Sequence, residues 1–115
     1  MPVVFVIALD WTLRTAVRAE LRELGIDALG MDDPDDVGRA LAQGQVPSAL
    51  VLEAAAPVAD HPAIRNLVEH VPTLLVASRT EMVRLPPARA VCYRPVRIEE
   101  IVARVRRWLP EGHAT

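Results

Sequence analysis

The sequence predicts an α/β domain: a doubly wound, five-stranded parallel sheet with helices on both faces. Three observations point there. Val3 to Leu9 is a continuous apolar run rich in β-branched residues, and Ala49 to Leu52 is a second apolar run, as expected of strands covered on both faces. Other segments repeat their apolar residues every three or four positions, the spacing of one helical face. The two patterns alternate along the chain as βαβαβαβαβα, with connections of a few residues and no internal repeat. That alternation implies parallel strands with helical crossovers.

Each element has its own signal. After the first strand, Trp11 to Leu24 places Leu13, Ala16, Val17, Leu21 and Leu24 on one helical face, with Arg14, Arg18, Arg22 and Glu23 around the rest, and Gly25 follows as a left-handed cap. Ala28 to Met31 reads as a short strand. Asp33-Pro34-Asp35-Asp36 reads as a helix start, with a capping aspartate, proline at the first helical position and acids in the first turn. Val37, Ala40 and Leu41 give that helix its buried stripe, and Gly44 ends it. Beyond the strand at Ala49 to Leu52, stopped by Glu53, a helix around Ala63 to Val71 uses Ile64, Leu67 and Val68. Thr73 to Ala77 is the fourth strand. A weak helical piece follows at Thr80 to Leu85, cut off by Pro86-Pro87. Ala90 to Tyr93 is the last strand, ending at Arg94-Pro95. The closing helix puts Ile98, Ile101, Val102, Val105, Trp108 and Leu109 on one face, and Pro110 stops it.

Composition narrows the chemistry. The 115 residues read as a single domain, 1–115, with 110–115 as a disordered tail. A chain of this size buries roughly two-thirds of its unfolded surface, enough for one core without staples. Its hydrophobic share of 51% marks it as globular rather than disordered. No apolar run approaches the roughly 18–20 residues of a membrane span, and no basic stretch precedes Val3 to make it a signal peptide. A lone cysteine, Cys92, excludes an internal disulfide and a cysteine metal cluster. All 13 basic residues are arginine, so Schiff-base chemistry and a phosphate-loop lysine are excluded. His61, His70 and His113 lack zinc-motif spacing, and the five glycines never cluster into a phosphate-cradling loop. A net charge of −2 gives no global pull toward nucleic acid. An enzyme built on a standard motif is not expected.

In a parallel α/β sheet, functional groups collect at the carboxyl ends of the strands. Those ends carry Asp10, Asp32, Glu53, Ser78 and Arg94. Four segments then resemble the receiver domain of two-component response regulators, of the chemotaxis type. They are Val3-Val4-Phe5-Val6-Ile7 with Leu13-Arg14, then Pro47-Ser48-Ala49-Leu50-Val51-Leu52-Glu53, then Val71-Pro72-Thr73-Leu74-Leu75-Val76-Ala77-Ser78-Arg79, and finally Tyr93-Arg94-Pro95-Val96 with Glu99-Glu100-Ile101-Val102-Ala103-Arg104-Val105. Together they span nearly the whole chain. The resemblance implies the flavodoxin-like, three-layer α/β/α receiver fold.

The resemblance also implies a site. A working receiver holds Mg²⁺ with two acids after the first strand and phosphorylates an Asp, assisted by a hydroxyl, a Lys and an aromatic switch. Anchored on Leu13-Arg14, the paired acids fall on Ala8 and Leu9, with Asp10 one place late. The phosphoacceptor position is Glu53, the hydroxyl Ala77, the Lys Arg94 and the aromatic Val91. Every position departs from the pattern. Leu9 cannot ligate the oxygen-seeking Mg²⁺. Glu53 is one methylene longer than Asp, where in-line attack tolerates misplacement of about 1 Å poorly. Arg94 can instead pair with Glu53 through its planar fork. The chain therefore reads as a degenerate, pseudo-receiver variant. The intervals from Glu53 to Ala77 and from Ala77 to Arg94 are short for the family, so the third and fourth helices should be trimmed.

Each residue also has a plainer reading. Glu53 is either a permanent stand-in for a phosphorylated Asp or a polar strand end paired with Arg94. Asp10 reads as the cap of the first helix rather than a surviving ligand. Asp32, Asp33, Asp35 and Asp36 read as a helix start rather than an ion site. Cys92 reads as a small core residue. Arg97, Arg104, Arg106 and Arg107 read as a solvated helix face. Trp11 is either a binding hot spot or a plug for the space left by the missing acids, and Trp108 reads as core.

The expected function is a cytoplasmic, phosphorylation-independent signalling module of a bacterial phosphorelay. It is not an enzyme, has no cofactor or metal, and acts on a protein partner as a monomer or weak homodimer, without membrane or nucleic-acid contact. Ser78, Trp11, Arg97 and Arg104 are candidate contact residues. Two alternatives remain: a small flavodoxin-like domain binding a nucleotide or flavin at the strand ends, and a receiver accepting phosphate at a non-standard residue.

Overall fold

The computed structural model describes residues 2–54, 58–78 and 88–110. Five parallel strands, β1 (Val3–Ile7), β2 (Asp27–Met31), β3 (Ala49–Glu53), β4 (Thr73–Ala77) and β5 (Ala90–Tyr93), form one sheet in the order β2-β1-β3-β4-β5. Four helices are described, α1 (Trp11–Glu23), α2 (Pro34–Ala42), α3 (Pro62–His70) and α4 (Ile98–Arg106), with a 3-10 turn at Val58–Asp60. The expected piece at Thr80 to Leu85, its Pro86-Pro87 stop, Arg79 and the tail 111–115 with His113 lie outside the described residues.

Strand alternation sorts the core into two layers. Val4, Val6, Ala49, Val51, Leu74 and Val76 face α1 and α4, meeting Val17, Leu21, Ile101 and Val105. Phe5, Ile7, Leu50, Leu52 and Leu75 face α2 and α3, meeting Val37, Ile64 and Leu67. The central strands are apolar at nearly every position because both of their faces are covered.

The helix signals operate as the residues suggest. Asp33 caps α2 through a 2.9 Å bond from the Asp35 N–H, with Pro34 at the first position. Asp33, Asp35 and Asp36 form the cap and first turn of α2, where Asp36 pairs with Arg39, whereas Asp32 approaches Arg14 of α1 at 3.9 Å. Gly25 (φ +78°) ends α1 with Gly25 N–H to Arg22 O and Ile26 N–H to Leu21 O bonds, the left-handed cap that only glycine adopts freely. Gly44 (φ +89°) repeats it after α2.

Several expectations need correction. β1 stops at Ile7, because the chain bends at Leu9, which is half exposed. α3 begins at Pro62 and ends at His70, its cap supplied by the His61 ring, which accepts from the Ala63 N–H at 3.2 Å. Leu24 is not on the buried face of α1; it is the C-cap and is exposed where the helix unwinds. Trp108 lies past the end of α4 and is only partly buried, resting on the edge of the core.

The outer edge of the sheet at β2 has an unforeseen arrangement. The Met31 carbonyl accepts from Ala8, so Asp27, Leu29 and Met31 turn their backbone polar groups toward β1 while Ala28 and Gly30 turn theirs away. Arg18 Nε donates to the outward Ala28 carbonyl at 3.2 Å. Arg14 lies across Gly30, where an added Cβ would come within 2.9 Å of its Cγ, and donates to the Ala8 carbonyl at 2.7 Å. These arginines, placed by the sequence around the apolar face of the first helix, are tied to backbone carbonyls at the end of β1 and in β2.

Cys92 is buried on β5 as expected. Burial pushes its thiol above the ordinary range, outweighing the opposing pull of Arg104, and Glu100 adds to the rise. Because the folded state holds that proton more tightly, its stability contribution is complete below the unfolded thiol range, about 8.5–9, and is lost as pH rises beyond it. Alkylation by iodoacetamide at neutral pH is therefore expected to be slow in the native protein and immediate in denaturant; rapid native labelling would contradict this burial.

Candidate functional site

At the carboxyl end of the sheet, Glu53 closes β3, Arg94 follows β5 and Asp10 precedes α1. β4 runs between β3 and β5 and ends in Ala77, so only a methyl group stands at the end of the intervening strand. Glutamate and arginine are both long enough to meet across it. Arg94 Nη2 donates to Glu53 Oε2 at 2.6 Å, the ion pair that the sequence suggested.

The rest of the Glu53 carboxylate is also engaged. Its Oε1 accepts the backbone N–H of Leu9 at 2.8 Å and of Asp10 at 3.1 Å. Charge-assisted bonds of this kind are short and strong, and the Glu53 side chain is only 13% exposed. Arg94 Nη2 further reaches Asp10 Oδ2 at 3.3 Å. Asp10 Oδ1 meanwhile accepts from the Leu13 N–H at 3.2 Å, capping α1 as expected. One guanidinium thus stands between two carboxylates, and both carboxylates are also anchored to backbone. The peptide between Arg94 and Pro95 is cis.

This donor set does not suit a divalent cation. Ala8 is buried and offers no side-chain ligand, Leu9 projects a hydrocarbon, and the space between Asp10 and Glu53 is held by a positive charge. Among the described residues, no three His, Cys, Asp or Glu side chains come together to hold a metal ion. Three donors hold the Glu53 carboxylate, two on Oε1 and one on Oε2, and compete with its use as a nucleophile.

The other sequence candidates divide. Ala77 is fully buried at the end of β4, Ser78 follows it half-buried, and Val91 is partly buried in the α2/α3 layer. Trp11 opens α1 at the rim and is 67% exposed, so it does not plug the pocket. It sits two residues before Leu13, about 200° around the helix from the Leu13–Val17–Leu21 stripe, and so points away from the core. Leu9, 48% exposed, gives the rim a second apolar side chain. Arg97 is exposed before α4 and makes no capping bond. Arg104 lies near the other end of α4, paired with Glu100 at 3.6 Å, and takes no part in this cluster. The Leu9 and Asp10 amides were not foreseen, because a backbone donor leaves no trace in side-chain identity.

The same architecture occurs in solved structures. A response-regulator receiver protein of Burkholderia phymatum superposes with a TM-score of 0.74 at 20% identity, over 94% of each chain. The fold is that of a response-regulator receiver domain. The receiver domain of HemR from Leptospira biflexa, in its non-phosphorylated form, matches with a TM-score of 0.72 at 17% identity, over 98% of this chain and 99% of its own. The receiver domain of a Pseudomonas aeruginosa sensor histidine kinase, solved with magnesium coordinated in its active site cleft, matches at 0.74 and 17% identity, over 93% and 96%. No family model and no curated protein sequence matches the chain. The receiver fold explains why Asp10, Glu53 and Arg94 converge, since its strands are all parallel and the carboxyl ends of β1, β3 and β5 lie at one end of the sheet.

Proposed function

We propose that this chain is a pseudo-receiver: a signalling module of a bacterial two-component phosphorelay that acts by binding a protein partner in the cytoplasm, without forming an acyl phosphate and without catalysing a reaction of its own. The observation that carries this reading is the Glu53 carboxylate held by three donors, the Leu9 and Asp10 amides on Oε1 and Arg94 on Oε2. A phosphorylated Asp would present negative oxygens near the end of β3, and Glu53 holds a carboxylate there already, paired with Arg94. The neighbouring rim supplies a docking surface, with exposed Trp11 and Leu9 beside the charged cluster, and with Ser78 and Arg97 nearby in sequence to the strand ends. Exposed tryptophan is a frequent anchor of protein interfaces. No helix among the described residues is long and apolar enough to cross a membrane. We assign the module as a monomer or weak homodimer.

The test is incubation with acetyl phosphate and Mg²⁺ followed by intact mass measurement, with beryllofluoride in a parallel NMR titration. The expected result is no phosphoryl adduct and no specific shifts around Glu53. An adduct mapped to Glu53 or to any other residue would refute the reading.

A further inference from the structure

We propose that the end of the sheet opposite Glu53 carries a second, independent site: a phosphate-binding cleft formed by Arg89, Arg104 and Arg107 around the Trp108 indole. The cleft is about 250 Å³ and is lined by these four residues and Ala90. It lies where β5 begins and where α4, returning antiparallel to the strands, ends. The Arg89 guanidinium stands over the Trp108 ring, 5.5 Å from its centroid, within cation–π range.

Arginines in the last turn of a helix are expected, because they offset the negative end of its dipole. That accounts for Arg104 and for Arg106. It does not account for Arg89, which arrives from a different element and adds a third positive charge to the same cleft. Among the described residues Glu100 is the one carboxylate paired to any of the three, at 3.6 Å from Arg104, and neither Arg89 nor Arg107 has an ion-pair partner. The stretch 88–110 holds six arginines and two glutamates, although the whole chain is net negative at −2. Like charges brought together without counter-charge repel, so an anion bound between them relieves the cleft. Arginine forks match phosphoryl oxygens bidentately. The volume is below the roughly 300 Å³ at which pockets begin to enclose whole small molecules, which suits a phosphoryl group with the remainder of its carrier outside. Inorganic phosphate, pyrophosphate and the phosphates of a nucleotide share that chemistry.

The experiment uses the full chain with Trp11→Phe, so that Trp108 is the remaining indole. Its fluorescence is followed during titration with inorganic phosphate, pyrophosphate and ATP, at ionic strength held constant with sodium chloride. A saturable change is expected with pyrophosphate. Arg89→Ala and Arg107→Ala are each expected to weaken binding about tenfold, the loss of one charge-assisted bond. Arg89→Lys, which keeps the charge but loses the fork, should also weaken it, whereas Arg106→Ala, outside the cleft, should not. Tighter binding of ATP than of pyrophosphate would assign a nucleotide as the carrier, and equal binding would assign the phosphate group alone. No saturable response, or equal weakening by Arg106→Ala, overturns the proposal. Binding of single-stranded DNA with no response to pyrophosphate overturns it as well, in favour of a nucleic-acid contact.

Discussion

Replacing Arg94 with methionine is expected to destabilise the domain by about 1–2 kcal/mol and to make its stability respond to Mg²⁺. The substitution keeps most of the aliphatic stem and removes the guanidinium that stands between Glu53 and Asp10. Two carboxylates then share one end of the sheet without a cation. A hydrogen bond to a charged group contributes about 1.5–3 kcal/mol. The figure is lowered here because Arg94 and Asp10 are each more than one-third exposed and water screens them. Glu53 also keeps the two backbone amides. For a domain of this size the loss corresponds to a midpoint lower by about 4–10 °C. The vacated space has hard oxygen donors, so Mg²⁺ at constant ionic strength should raise the midpoint of the variant and leave the native protein unchanged. A native protein stabilised by Mg²⁺ as strongly as the variant would show that Arg94 does not block the ion. Arg94→Lys should fall between them, retaining a charge but not the planar fork.

Phe5→Ala should produce a still larger loss of stability. Phe5 is fully buried on β1, flanked by Leu29 of β2 and Leu50 of β3, and faces the α2/α3 layer. Its neighbours Ile7, Leu50 and Leu52 are fixed in the sheet, so the cavity cannot readily collapse. Such truncations cost about 3–5 kcal/mol, a large part of the 5–15 kcal/mol that typically holds a domain folded. Urea unfolding should show a much lower midpoint with an unchanged slope. Phe5→Leu should lose far less. A small effect of Phe5→Ala would mean that this layer of the core is loosely packed.

The strands were legible because burial on both faces leaves little room for polar residues, and β4 and β5 keep the bounds that the sequence predicts. The Glu53–Arg94 pair was legible for a related reason. Both residues follow such runs, and two opposite charges at one end of a parallel sheet have few other partners. The amides that complete the Glu53 cluster were not legible, since they depend on the bend at Leu9 rather than on its side chain. Of the two readings of Trp11, the plug for the space left by the missing acids fails, because helical phase turns the side chain outward. The convergence of Arg89 with Trp108 was equally hidden, because it joins two segments that carry no common periodicity.

The bond from Arg18 to Ala28 bears on how this molecule avoids its own kind. A boundary strand with free carbonyls and amides is a template onto which a foreign strand can be laid, the first step toward runaway self-association. Here a strand arriving alongside β2 would have to dislodge a guanidinium already bonded to the acceptor it needs. Sheet growth from that side is therefore opposed by a side chain of the neighbouring helix, which occupies one of the outward acceptors without proline or a bulge.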